Sequence, residues 1–199
     1  KPNLVPLLDE NTISDFLKVW TSYDGVTAID LETKGLDPWD PSGRILCLTI
    51  AFDEEKNQAY YIPFNKINKA QLNEFLLNKK LVGNNLKYDV KWLRVYAGLS
   101  RESTQIFWDN MKSSQALNEL QYNSLKSDAW LFTPYGGYDL DLEKYKKKKP
   151  ACKSDYSKIP FSVMFPYATM DALVSLACYR EHQKRIDSLD KICSQNNGW

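Results

Sequence analysis

Histidine is nearly absent: the 199-residue chain has one, His182. That argues against a His-rich metal centre and against a Ser–His–Asp triad, both of which lean on imidazole. The four cysteines (Cys47, Cys152, Cys178, Cys193) form no C-x-x-C pair, so the usual zinc and redox spacings are missing. Cys47 lies in an apolar, strand-like run, where a reduced and buried thiol is expected. No apolar run approaches the ~20 residues of a bilayer span, and no signal-peptide pattern opens the chain. An excess of one charge is also lacking. The net charge is +1, so a polyanionic partner would have to be held by a local patch and not by the overall field. Together these absences lead to the expectation of a cytosolic protein with no membrane partner. The chain starts at Lys1, not Met, which raises the expectation of a fragment of something longer.

What is present is enough for one full-sized core. A hydrophobic fraction of 43%, with 13% aromatics, suits a single globular domain over residues 1–199. A β-branched run from Val26 predicts a first strand, and Arg44–Phe52 and Ala59–Pro63 predict two more. The last two flank the polar turn Asp53–Asn57 and read as an antiparallel hairpin. Before them, Ile13, Phe16, Leu17 and Trp20 recur at helical spacing, predicting a helix over Asn11–Tyr23 capped by Asn11 or Thr12. Beyond them the pattern predicts a helix over Asn68–Leu77, a short strand Lys80–Gly83 and a helix opening near Leu86. A strand over Thr104–Trp108 follows, then a helix Met111–Leu120 with Asp109 as its cap. Gln121–Tyr138 is poorly periodic. Leu140–Lys149 reads as a helix whose Lys146–Lys149 end is expected to be solvated, favourable against the C-terminal dipole. Pro166 suits the first turn of a last helix running through Arg180.

Three short patterns carry chemistry. The first strand leads into Asp30-x-Glu32, and alternate strand residues share a face, so both carboxylates point one way. Two acids so placed repel and resist burial unless a cation joins them. Asn85-x-x-Tyr88-Asp89 opens a helix straight after a strand, with Leu86, Val90 and Leu93 on its inward face. Its structural alternative is an Asn85 cap and an Asp89 that favours the helix dipole. Tyr167 and Asp171 are four apart and lie one turn from each other on one helix face. Each pattern alone is weak, but the ordered set is specific.

In that order the patterns resemble the proofreading 3′–5′ exonuclease domain of bacterial and phage DNA polymerases of the polymerase I type. That family is the tyrosine-using subgroup of the DEDD exonucleases. Asp30 and Glu32 match its first motif, Asp89 its second, and Tyr167 with Asp171 its third. The similarity runs from about Val26 to Arg180 and is loose between Ser100 and Phe165. It implies an α/β, ribonuclease H-like fold: a mixed five-stranded sheet with one antiparallel strand and flanking helices. The hairpin ending in Tyr61–Ile62–Pro63 is closer to the polymerase type than to ribonuclease D.

The resemblance also implies the chemistry. Four acids in one cleft call for two divalent cations roughly 4 Å apart, and oxygen-only ligands favour Mg2+ or Mn2+. Asp30 would bridge both ions, Glu32 and Asp171 would complete the tighter site, and Asp89 would support the second. Tyr167, with Glu32, would position the attacking water. An unperturbed tyrosine titrates near ~10, which makes it a poor base at neutral pH. Leu36 matches the family's apolar wedge, Thr33 and Asn85 match groups that hold the 3′ nucleotide, and Tyr88 lies beside them. The implied substrate is a single-stranded or frayed 3′ DNA end. The implied partner is a polymerase domain C-terminal to this segment. An RNA-trimming exonuclease of the same superfamily is one alternative, and a non-catalytic module supporting a polymerase is another. The four retained carboxylates argue against the second.

Overall fold

The computed structural model describes residues 1–199 apart from 56, 78, 101–104, 121 and 197–199. Lys56 of the polar turn, Thr104 of the fifth expected strand and Gln121 of the unpatterned stretch therefore lie outside the described residues. In chain order the elements are β1 (Asn3–Pro6), α1 (Glu10–Thr21), β2 (Val26–Lys34), β3 (Arg44–Phe52), β4 (Gln58–Pro63) and α2 (Lys69–Leu76). Then come β5 (Lys80–Gly83), α3 (Leu86–Ala97), β6 (Gln105–Asp109), α4 (Asn110–Leu117), α5 (Leu125–Phe132), α6 (Leu140–Lys148) and α7 (Phe161–Asn196).

The strands form one mixed sheet in the order β1-β4-β3-β2-β5-β6. β3 runs antiparallel to both β2 and β4, while β5 is parallel to β2, β6 to β5 and β1 to β4. The fold is α/β with the one antiparallel strand expected of a ribonuclease H-like sheet. All five expected strands are there. The sixth, β1, is an edge strand of four residues, too short for alternation to reveal it.

The strand alternation builds two cores. On one face Ile29, Leu31, Leu48, Ile50 and Phe52 pack with Ile13, Leu17, Leu72, Phe75 and Trp92 of α1, α2 and α3. On the other, the small residues Ala28, Ala51 and Ala59 let α7 lie close, through Ala172, Leu173 and Leu176.

Beyond shifts of one or two residues at other element ends, three boundaries differ from the sequence pattern. Asp9, not Asn11 or Thr12, caps α1, its Oδ1 accepting the Thr12 N–H at 2.9 Å. The hydroxyl of Thr12 turns back to the same carboxylate, so the residue expected as the cap is instead its second donor. α4 stops at Leu117, where Asn118 turns extended. α7 starts at Phe161 and carries Pro166 inside it. There the proline forfeits the intrahelical bond to the Ser162 carbonyl. What holds the first turn is aromatic packing: Phe161 and Phe165 stack at 5.2 Å, and both meet the Tyr61 ring edge-on, at 5.5 and 5.7 Å.

That early start changes one expectation. Phe161–Ser194 is long and apolar enough to suit a bilayer, with mean hydropathy 1.4 in its most apolar stretch, but 61% of that stretch is buried inside the molecule. It is the helix of the second core.

Candidate active site

β2 has a neighbour on either side within the sheet, and α7 crosses it. Since Ala28 faces α7 and Ile29 and Leu31 face the other core, alternation puts Asp30 and Glu32 under α7. Asp171 comes down to them from α7. One carboxylate oxygen from each of Asp30, Glu32 and Asp171 lies within 4.8 Å of the others. Glu32 is 7% exposed and Asp171 5%.

Asp89, in the first turn of α3 and 4% exposed, stands slightly apart. Its Oδ1 accepts the Leu31 N–H at 3.0 Å, which ties it to the peptide between the two strand acids. The helix that carries it is set by Asp109, whose two carboxylate oxygens accept the N–H groups of Asn85 and Leu86 at 3.0 Å each. Asp109 also caps α4 through the Met111 N–H at 3.0 Å. Its role is structural, as expected. Asn85 occupies the cap position of α3 in the left-handed region (φ 58°), which asparagine tolerates, and its side chain makes no cap bond. The cap alternative for the Asn85 side chain is therefore excluded.

Burial drives the electrostatics. Asp30 and Glu32 are pushed well above the ordinary carboxylate range, first by desolvation and then by the charges of Asp171 and Asp89. Burial raises Asp89 to about 8, against the Leu31 hydrogen bond that pulls it down. Asp171 rises to about 6, again by burial, opposed by hydrogen bonds from Tyr138 and Tyr167 and by the Lys126 charge. Lys126 and Lys146 also pull Glu32 down, but burial and the neighbouring acids outweigh them, so the cluster of oxygen donors is only partly compensated. In hardness and in spacing it fits a divalent cation of the magnesium or manganese kind.

Tyr167 lies one turn before Asp171 on α7. Its phenol is pushed well above its usual value, mainly by burial and then by Asp171 and Glu32. It is a hydroxyl donor and not a base.

Two further residues complete this side of the site. The Tyr138 hydroxyl donates to Asp171 Oδ1, and its ring stacks on Tyr167 with centroids 6.1 Å apart. Lys126 lies over the Tyr167 ring, 5.6 Å from its centroid, and pairs with Asp139 and Glu143 at 3.3 Å each. Sequence reasoning missed both, because α5 is short and Tyr138 follows a Gly136–Gly137 turn with no periodic signal. Lys126 and Glu143 pair from two different segments, and no local pattern in the sequence joins them. Lys146 also departs from expectation. It turns inward to Glu143 at 2.8 Å and Tyr156 at 3.1 Å, while Lys147, Lys148 and Lys149 remain solvated.

On the other side of Glu32 opens a cleft of about 500 Å³. Thr33, Leu36, Asn85 and Tyr88 line one wall, and Lys153, Ser154 and Tyr156 the facing one. Thr33 Oγ1 and Tyr88 Oη lie 2.7 Å apart and both reach the Gly35 carbonyl, at 2.9 and 3.2 Å. Leu36 stands on the rim, 84% exposed. Of the nine residues named from the sequence, Glu32, Thr33, Leu36, Asn85 and Tyr88 line this cleft, Asp30, Tyr167 and Asp171 line a second hollow with Lys126 and Tyr138, and Asp89 reaches the acids through the Leu31 N–H.

The chain matches the 3′–5′ exonuclease family of A-type DNA polymerases over residues 5–187. It is 29% identical, over 95% of its length, to the DNA polymerase of Escherichia phage T5, and it spans 24% of that polymerase. Its fold is similar to NrnC of Brucella melitensis bound to pGG, with TM-score 0.68 and 16% identity over 94% of this chain and 83% of that one. It is also similar to the RNase D of Trypanosoma brucei in complex with RNA U12, with TM-score 0.67 and 12% identity over 91% and 62% of the two chains. These two likenesses carry the fold, and the family match carries the kinship. Matched over nearly all of its length, the chain belongs to the 3′–5′ exonuclease family of A-type DNA polymerases.

Proposed function

We propose that this chain hydrolyses DNA from the 3′ end to 5′-mononucleotides, using divalent cations, and proofreads for an A-type DNA polymerase. The observation that carries the reading is the trio of half-buried Asp30 and buried Glu32 and Asp171, with ligand oxygens within 4.8 Å and with Asp89 and Tyr167 beside it. Those four acids would hold two magnesium or manganese ions. When bound, the ions would supply Lewis-acid activation of the water and charge stabilisation at the leaving 3′-oxygen.

The remaining work falls to the chain's own groups. Tyr167, kept protonated by burial, donates a hydrogen bond that orients the water, with Glu32 as its companion acceptor. Asp89, fixed to the Leu31 N–H, holds its carboxylate in register with the strand acids. Leu36 wedges against the terminal base, and Thr33, Asn85 and Tyr88 hold the 3′ nucleotide in the cleft beside Glu32.

DNA as substrate rests on kinship with a polymerase. The RNA U12 and pGG seen with two proteins of like fold make RNA the second reading. The test is a time course on 3′-labelled single-stranded DNA and on RNA of the same sequence, with Mg2+, Mn2+ or EDTA. Metal-dependent release of 5′-mononucleotides, faster on DNA and lost in Asp30→Asn, is the expected result. Turnover in EDTA would overturn the metal reading, and a strong RNA preference would move the function to RNA trimming.

A further inference from the structure

Between β2 and β3 the chain makes a tight loop over residues 35–43, and its tip carries a tryptophan. Trp39 is 66% exposed, which is costly for so large an apolar ring. The loop is not loose. The Asp40 N–H bonds the Asp37 carbonyl at 3.2 Å and the Gly43 N–H bonds the Asp40 carbonyl at 2.8 Å. Asp40 Oδ1 accepts the Ser42 N–H at 2.8 Å, and the Tyr96 hydroxyl donates to the Gly43 carbonyl. Trp39 is itself anchored, its N–H bonded to Asp37 Oδ1 at 3.2 Å. A rigid loop that holds an aromatic ring in water is a preorganised surface.

Its neighbours indicate what the ring meets. Lys91 places its ammonium 4.5 Å from the Trp39 centroid and 3.8 Å from Asp37, so one face of the indole has a cation beside it. Lys91 follows Tyr88 by three residues on α3, and Leu36 precedes Trp39 by three on the loop. Tyr88 and Leu36 both line the cleft, so the Trp39 loop and the Lys91 turn are the continuations of two of its lining segments. At the base of the loop Lys34 and Arg44 sit directly opposite each other on β2 and β3. Like charges so paired destabilise a sheet, and Asp40 and Asp155 lie near Lys34. An exposed ring with one cation over it and two more at the base of its loop suits a nucleobase flanked by phosphates.

We propose that Trp39 is a stacking platform for a base upstream of the 3′-terminal nucleotide, with Lys91, Lys34 and Arg44 facing the phosphates of that single strand. This rests on the exonuclease reading above and extends it, because it makes the enzyme favour strands of several nucleotides.

The test is fluorescence anisotropy of labelled single-stranded octathymidylate on the full chain in EDTA, at low salt. Trp39→Ala and Trp39→Leu should each weaken binding about tenfold, equivalent to about 1.4 kcal/mol, at the low end of aromatic stacking on a base. Trp39→Phe should stay within about threefold of the original affinity. Leucine keeps apolar bulk without a π face, so equal affinities for the Leu and Phe variants would overturn stacking, as would an Ala variant within twofold of the parent. Hydrolysis of the same strand in Mn2+ by the parent chain separates the two readings. Binding with no nucleotide release would sink the exonuclease and leave the platform standing. Hydrolysis with an unaffected Trp39→Ala affinity would sink the platform alone.

Discussion

Replacing Asp171 by asparagine should abolish hydrolysis and yet make the metal-free protein more stable. The Asp171 carboxyl ionises near 3.8 in an unfolded chain and near 6 in the folded one. Between those values the folded state holds more protons than the unfolded state. Stability is therefore complete below about 3.8, falls as pH rises through the window, and stays reduced above about 6. At pH 8 the full gap is worth roughly 3 kcal/mol of destabilisation. The buried position of Asp171 (5% exposed) means that solvent does little to screen it.

An asparagine keeps the oxygen that accepts the Tyr138 hydroxyl, and its amide can donate to Asp30 or Glu32. The variant thus removes a charge without orphaning a partner. For a domain of this size ~1 kcal/mol moves the melting point by ~2–4 °C, so a rise of about 6–12 °C is expected at pH 8 in EDTA. Near pH 4 the two proteins should converge. Saturating Mn2+ should close the gap, because a ligand at ~100 Kd adds about 2.7 kcal/mol to the parent and the variant binds it less well. The assay is a set of thermal melts from pH 4 to 8.5, with and without metal. A variant that melts below the parent at pH 8 in EDTA would refute the claim that the cluster is held against its own repulsion.

Three more outcomes follow. Tyr167→Phe should slow hydrolysis by about ten- to a hundredfold with metal affinity retained, against at least about a thousandfold for Asp30→Ala, because one hydrogen bond is lost and the ligands stay; metal titration beside single-turnover rates checks it. Lys79→Met should destabilise by about 3 kcal/mol in urea unfolding, since the buried Lys79 amine donates to the carbonyls of Trp20 and Thr21 at 2.8 Å each and to that of Tyr23 at the end of α1; a change below ~1 kcal/mol would dismiss that role. Digestion should go fastest on single strands, then mismatched ends, then matched duplex. Each further pair that must open should cost about tenfold, at about 1.4 kcal/mol per step, and equal rates on single-stranded and paired DNA would contradict the cleft reading.

The sequence exposed those features that repeat with the period of their element. Asp30 and Glu32 were legible because alternation alone sets both on one face of β2. Tyr167 and Asp171 were legible because four residues make one turn of α7. Tyr138 and Lys126 were not, since each reaches the site through tertiary placement of a short element: α5 has eight residues, and Tyr138 follows a turn. Pro166 misled for a physical reason. A proline usually marks a first turn, but here the Phe161–Phe165–Tyr61 cluster stabilises a turn laid down before it. The four residues of β1 carry no alternation of their own, and only pairing with β4 makes them a strand.

What separates the clustered acids from the capping ones in this fold is their donors. Asp9 accepts the Thr12 N–H, Asp155 the Ser157 N–H, and Asp109 three backbone N–H groups. Each of these charges is spent on the backbone that it organises. Asp30 and Glu32 show the reverse: among the described residues no hydrogen bond to either carboxylate is found, and the neighbours that raise both are acids. Asp89 and Asp171 fall between, each held by hydrogen bonds and each still raised. A fold that needed these groups only for packing would be better served by amides or apolar residues, because unpaired buried carboxylates cost several kcal/mol. A cation completing the site would offset that cost. Asp109 lies near the same cluster, but its two oxygens already accept three backbone N–H groups, so it belongs with the capping acids.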